Sequence, residues 1–374
     1  MDRVAGRIPD WAVIVGVVFV SVFMQFPNLK EIRHGAPAAE TILEIAKAPF
    51  SQVEKQEGSH GEKKAFRLLV PAMMRLFGGS NTYQVYALLV SANIVYLSAC
   101  YFVLRSGTGD KAFSMIALCA LSLTYSGACG FLDTKGWADA APLAFVILAM
   151  LRIHPLVVAL CLFAGVMGDE RALMAIPYVI LWQTAQRKGS CNLTVSDLWA
   201  DRSMLAAGLV CVLAFGFVRW LLIHVYGFEV KLGGVGPRVL LQHNPDMYSV
   251  SFWSGFEALW LILFLWMLTV FRNWKRNIAI ALLLYVLASV VACYMVFDVT
   301  RSLCYLLPAL LFAVVMVYRS FSKREYALAL LFGVMIVCGI APSTNYYGIG
   351  VRDYTPAPFR SVVYLRTILP ATQP

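Results

Sequence analysis

Charge is what this chain has least of. Asp, Glu, Lys and Arg make up 14% of its 374 residues, against about a quarter in an average soluble domain. That shortage excludes a soluble enzyme held by a single anchor. Acids are scarcer than bases, 21 against 31, which leaves a net charge of +10. In a soluble protein that surplus would suggest nucleic acid. In an apolar chain, placement in a membrane and anionic lipid or phosphate ligands explain it better, and no nucleic-acid partner is expected. Paired cysteine motifs are missing as well. Of nine Cys, Cys100, Cys119, Cys161, Cys211, Cys293, Cys304 and Cys338 lie inside apolar segments, with no CxxC or Cys/His spacing. They read as small buried hydrophobes, which argues against a disulfide framework and a metal site. No GxSxG, HExxH, Walker or Rossmann motif has a supporting context, and the glycines of KLGGVG read as loop flexibility. No internal repeat points to a secondary transporter.

What is abundant is hydrocarbon, at 60% of residues. Apolar runs long enough to cross a membrane recur from end to end, so the expected fold is an all-α polytopic membrane protein. Candidate spans cover residues 11–27, 82–104, 112–130, 137–152, 155–184, 203–225, 251–271, 278–297, 303–318 and 326–341, a count of about nine to eleven. The first reads as an uncleaved span, since no small-x-small cleavage site follows it directly. The fifth, 155–184, is too long for one perpendicular helix at about 1.5 Å per residue. Its midpoint carries GDER, residues 168–171, and two shorter helices meeting there fit the length.

Lys and Arg in short loops set the orientation. With Arg3 and Arg7 in the cytoplasm, Arg105/Lys111, Arg152, Arg187/Lys188, Arg272/Lys275/Arg276 and Arg319/Lys323/Arg324 fall on the same side, provided that 155–184 goes out and returns. GDER then lies at the outer face, and the sequon at Asn192 lies inside, unused. Residues 1–341 form one transmembrane domain. Three longer stretches face out: 28–81, with amphipathic PAAETILEIAKAPF and the interfacial piece FRLLVPAMMRLFGG carrying Arg67 and Arg75; the Gly-rich loop 226–250; and a polar, aromatic tail, 342–374.

Charged residues gather beside helix ends on that outer side. They are Asp133, Lys135 and Asp139; Asp169, Glu170 and Arg171; Asp298 and Arg301; Lys231, Arg238, His243 and Asp246; and Glu40 and Glu44 in the first loop. Ionisable groups at membrane depth are costly and tend to face a cavity or one another. Singly, each reads as an ordinary interfacial loop residue or a structural salt bridge at least as well as a site residue. Together, three short outer turns carrying both acid and base suggest a polar pocket. Carboxylates there suit a general base, and Arg and Lys suit a phosphate clamp. Arg219, alone within an apolar span, either snorkels or pairs with an acid.

The layout resembles the GT-C superfamily of integral-membrane glycosyltransferases, particularly small bacterial members. Four places carry the resemblance. AETILEIAKAPF followed by AFRLLVPAMMRLFG is similar to the family's first-loop acid, amphipathic helix and R-x-L-x-P segment. GFLDTKGWADAAPLAFVILAML is similar to the second outer loop, GDERALMAIPYVILW to an R-E/E-R turn, and FDVTRSLCYLLPALL to a late D-x-x-R segment followed by Pro. The resemblance runs from the first span to about residue 318. One departure stands out: the family's early first-loop Asp is missing, since no Asp occurs between Asp10 and Asp110. Glu40 is the nearest substitute, with Glu31 and Glu44 as rivals.

The resemblance implies sugar transfer from a polyprenyl-phosphate donor to a glycan or lipid acceptor, at the outer face of a bacterial inner membrane. It implies Glu40 as base and Asp133 as second acid. Lys135, Arg171, Arg301, Arg238 and His243 would contact phosphate or sugar, and Asp139, Asp169, Glu170 and Asp298 would orient them. No metal ligands are assigned, although some family members use a divalent metal. Rival readings are a transporter or flippase of lipid-linked or anionic substrates, an outward-facing polysaccharide polymerase or ligase, and a scaffold subunit without activity.

Overall fold

The structure, a computed structural model, describes residues 8–25, 37–50, 65–133, 136–151, 154–189, 192–228, 236–242, 248–274, 276–340, 343–347 and 350–354. Lys135 and His243 lie outside them. In chain order the helices are α1 (Asp10–Gln25), α2 (Pro37–Lys47), α3 (Leu69–Leu76), α4 (Thr82–Thr108), α5 (Lys111–Ser122), α6 (Tyr125–Leu132), α7 (Ala140–Leu148) and α8 (Pro155–Gly168). A 3-10 turn, Glu170–Ala175, leads into α9 (Ile176–Lys188). Then follow α10 (Val195–Ala200), α11 (Arg202–His224), α12 (Pro237–Gln242), α13 (Tyr248–Phe256), α14 (Trp260–Asn273) and α15 (Arg276–Tyr294). The helical series ends with α16 (Val299–Leu303), α17 (Leu307–Ser320) and α18 (Arg324–Ile340).

The chain is a multi-pass, almost wholly helical membrane protein. Among the described residues, five helical stretches are long and apolar enough to cross a membrane, and a sixth results if the bent pair α5–α6 counts as one. The sequence led us to expect nine to eleven spans. The other apolar helices are shorter, with 16 residues in α1, 14 in α8 and 9 in α7, where a perpendicular crossing takes about 20. The run 155–184 is indeed two helices: α8 stops at Gly168, and the chain turns through the 3-10 segment into α9.

Local chemistry sets several of these boundaries. Asn81 and Gln84 form a reciprocal capping box at the start of α4, and Gly109 ends it in the left-handed conformation at φ +69°. Asp110 and Thr124 cap α5 and α6 through their side chains. Such caps satisfy the backbone N–H groups that a helix start leaves open. The stretch Val299–Ser320, comprising α16 and α17, is buried from Val299 to Val317 and runs through the core of the molecule. Phe312 of α17 packs edge-on against Trp182 of α9 and lies tilted against Trp266 of α14. By contrast α11 is largely exposed, with Leu209, Leu213 and Phe217 each about 60% accessible, as a lipid-facing helix should be.

The C-terminal stretch, expected as a tail, contains a short antiparallel hairpin of β1 (Ser343–Tyr347) and β2 (Gly350–Tyr354), paired from Ser343↔Tyr354 to Tyr347↔Gly350. Its first strand packs on α13, α16 and α6.

Candidate functional site

The charged residues segregate to two ends. At one end the starts of α1 and α5 meet where Lys111 pairs with Asp10 at 2.9 Å, and Tyr101 donates to the same carboxylate at 2.7 Å. Nearby, Asp110 accepts from Tyr318 and Arg324, while Arg319 donates to the Gly107 carbonyl. The other end gathers the end of α6, the start of α7, the turn after α8 and the start of α16. It holds the acid–base turns singled out in the sequence.

Asp133 follows the last residue of α6, and the chain wraps around its carboxylate. Oδ1 accepts from the backbone N–H of Gly136 at 2.8 Å and Trp137 at 2.9 Å, and Oδ2 from Ala138 at 2.6 Å. The wrap forces Gly136 to φ +80° and Ala138 to φ +69°. The second value is strained for a residue with a Cβ. The loop also presses on the first turn of α2, where a Cβ on Gly136 would stand 2.7 Å from the Ala39 nitrogen. Burial pushes the Asp133 carboxyl up, and the Ala138 and Trp137 N–H donors oppose that rise.

Asp139, Asp169 and Asp298 are knitted together by arginines. Asp169 takes Arg171 in a fork, with Nε at 2.8 Å and Nη2 at 2.6 Å, and accepts Arg67 at 3.0 Å. Burial would raise its carboxyl, but the Arg171 and Arg67 guanidiniums reverse that and hold it well below the usual carboxylate range. Arg171 also reaches Asp139 at 3.0 Å and the Ser302 hydroxyl at 3.0 Å. Arg301 takes Asp139 in a second fork, Nε to Oδ2 at 2.5 Å and Nη2 to Oδ1 at 3.0 Å, and binds Asp298 at 2.7 Å. Asp139 is therefore the bridge between two arginines. Aromatic faces complete the cluster: Arg301 lies over Trp137 at 4.8 Å and Arg171 over Tyr305 at 5.3 Å.

Arg171, Arg301, Asp139, Asp169 and Asp298 thus come together, with Asp133 in the adjoining loop. Glu170 is at the edge, 3.7 Å from Arg67 Nε. Glu40 is exposed on α2, one residue past the Ala39 contact with the Gly136 loop. Arg238 is exposed on α12. Arg67, Trp137, Ser302 and Tyr305 were not among the sequence candidates for the site, although Arg67 opens the R-x-L-x-P segment. Arg219 does not pair with an acid among the described contacts. Its guanidinium stacks over Phe66 at 4.6 Å and Phe215 at 5.8 Å, fastening the first loop to α11.

The cluster is closed in this conformation. Asp139, Asp169 and Arg301 are at most 4% exposed. The cavity bordered by Arg67, Gly136, Trp137 and Gly168 measures about 20 Å³, room for a single water. Three polar atoms in or beside the cluster have no hydrogen-bond partner among the described groups, Arg67 Nε, Asp298 Oδ1 and the Tyr305 hydroxyl. No group of His, Cys, Asp and Glu able to hold a metal occurs among the described residues. No protein-family model, no curated protein and no solved structure matches this chain.

Proposed function

We propose that the protein is a membrane glycosyltransferase of the GT-C type, transferring a sugar from a polyprenyl-phosphate donor to an acceptor at the face that carries the cluster. The observation behind this reading is the meeting of Arg67, Asp139, Asp169, Arg171, Asp298 and Arg301, drawn from four separate segments, beneath the amphipathic helices of the first loop. In the transfer, the acceptor oxygen bonds to the sugar's anomeric carbon and the bond from that carbon to the phosphate oxygen breaks. The acceptor proton passes to a carboxylate, and the polyprenyl phosphate leaves with the bonding pair. Glu40, exposed at the rim, takes the base role, and Asp133 shapes the loop beside it.

The arginines constrain how phosphate enters. Arg171 and Arg301 already hold carboxylates in forks. A donor phosphate therefore docks first on Arg67, the most exposed of the three arginines, and then displaces Asp169 or Asp298. Charge-assisted bonds to phosphate are strong enough for such an exchange.

The transporter reading draws on a different observation. The α5–α6 pair bends by 59°, and the buried Glu257 sits at φ +50° between α13 and α14. Broken helices with buried polar groups are features of transporter sites. Assay of sugar transfer from lipid-linked donors in membranes, with Glu40→Gln and Asp133→Asn made separately, tests the first reading. Loss of transfer in Glu40→Gln is expected; full activity in both variants overturns the assigned roles.

A further inference from the structure

A cavity of about 500 Å³ runs between α3, α4 and α7. Its floor on α4 is the stripe Gln84, Ala87, Ser91 and Val95, spaced as one helix face, and Ala141 and Leu148 bound it on α7. Small side chains make the trough, and α3 with Phe77 forms the facing wall. The lining is apolar below and polar at the mouth, where Gln84 Oε1 accepts from the backbone N–H of Ser80 at 2.7 Å and Asn81 at 3.2 Å. Phe77, which lines the cavity, is 69% exposed, and Leu76 beside it in the chain is 79% exposed. Apolar side chains so exposed at the end of an interfacial helix belong in lipid.

The dimensions are informative. From Gln84 to Val95 the α4 stripe descends roughly 16 Å at helical rise. One leaflet of a membrane's hydrocarbon core is about 15 Å deep. The groove is therefore one leaflet long, starting at a polar mouth and stopping near mid-membrane. An acyl chain of a glycerolipid fills that length, whereas a long polyprenyl chain runs past it. The upper end adjoins the charged cluster: Ala141 is on the first turn of α7, which begins directly after Asp139, and Gly168 packs on both Leu69 of α3 and Pro142 of α7.

We infer that this groove binds one acyl chain of a glycerolipid from the leaflet on the cluster side, and that such a lipid is the acceptor of the transfer. The second half rests on the glycosyltransferase reading. A lipid seated in the groove brings its headgroup hydroxyls beside Trp137, Asp139 and Glu40. A sugar carried by a second lipid reaches them there, and both substrates stay in the membrane.

The test uses the full chain in phosphatidylglycerol vesicles with a phosphatidylglycerol probe bearing a diazirine in mid-chain. After illumination, cross-links are mapped by mass spectrometry. They should concentrate on α3, α4 and α7. Ser91→Trp fills an exposed position in the trough without crowding the core and should cut labelling about tenfold. Ala87→Trp should act in the same way, and Leu213→Trp on lipid-facing α11 should not. Even labelling of all lipid-facing helices, or unchanged labelling in both trough variants, overturns the site. Displacement of the probe by a polyprenyl phosphate but not by unlabelled phosphatidylglycerol overturns the occupant. A lipid-extractable sugar product lost in Ser91→Trp supports the acceptor. Transfer to a water-soluble acceptor, unchanged in Ser91→Trp, overturns the acceptor and leaves the glycosyltransferase reading standing. Groove labelling without covalent transfer to any acceptor counts against that reading and removes the acceptor with it.

Discussion

The two ends of the molecule handle charge in opposite ways. At the Asp10 end the ion pairs are separate from one another and several reach solvent: Asp10 is 43% exposed beside Lys111 and Lys188 is 36% exposed beside Asp197, while Asp110 is enclosed beside Arg324. At the Asp169 end Asp139 and Asp169 are almost wholly enclosed, Asp298 is 26% exposed at the edge, and three arginines share them. An exposed pair contributes little. An enclosed one must first overcome the loss of water around both ions, and hydrophobic residues of similar volume often stabilise as well or better. A cluster of this kind is therefore a poor device for stability alone. Its arginines are positioned, desolvated and held in reserve, a fitting state for groups that exchange a carboxylate for a phosphate.

Removing the bridge should break the contrast most severely. Asp139→Ala leaves Arg171 and Arg301 facing each other with reduced compensation, and should cost about 3–5 kcal/mol. Thermal unfolding in detergent checks this. A cost no larger than that of an exposed pair at the opposite end would mean that the cluster is not interlocked. Next in size is Glu40→Gln, which should slow transfer by about 10²- to 10⁴-fold while leaving the melting temperature unchanged, because Glu40 is exposed. A fall in stability instead would make Glu40 structural.

Acidification gives a subtler separation. Asp169 has a lowered native pKa, so its contribution to stability is fully present above the unfolded carboxylate value of about 3.9. It is lost only as pH falls below that value towards the depressed native one. The stability difference between wild type and Asp169→Asn should therefore stay constant from neutral pH down to the ordinary carboxylate range, then shrink. A difference that shrinks already near neutrality contradicts the pairing. The smallest effect belongs to the opposite end: Arg187→Ala, which removes the 2.9 Å pair with the Asp201 carboxylate, should cost at most about 1 kcal/mol and leave transfer unchanged.

Much of the architecture was legible because apolar runs are long and turns are charged. The turn at Asp169 followed from the length of the run and the charges at its midpoint, and the pairing of Asp298 with Arg301 lies within one helical turn. Partners distant in sequence were not legible. Arg171 meets Asp139 across 32 residues, and Arg301 meets it across 162. Helix rotation and tilt decide such meetings, and no periodicity records them. Arg67 read as an interfacial cation because its partner, Asp169, sits beyond the whole of α4 to α8. The wrap of the backbone around Asp133 was hidden for another reason: it depends on two residues at positive φ, one of them Ala138, a residue type that gives no turn signal. The number of spans was overstated because several apolar runs fold as helices too short for a perpendicular crossing, with 16 residues in α1, 14 in α8 and 9 in α7.

The central claim is that the cluster end performs covalent chemistry. Sealed vesicles containing the full chain and a polyprenyl-phosphate sugar, labelled in the sugar, can be followed for transfer and for movement of the label across the bilayer at once. The account predicts labelled sugar covalently attached to a new acceptor, with the attachment abolished by Glu40→Gln. Movement of intact donor across the bilayer, with no covalent change, would contradict it.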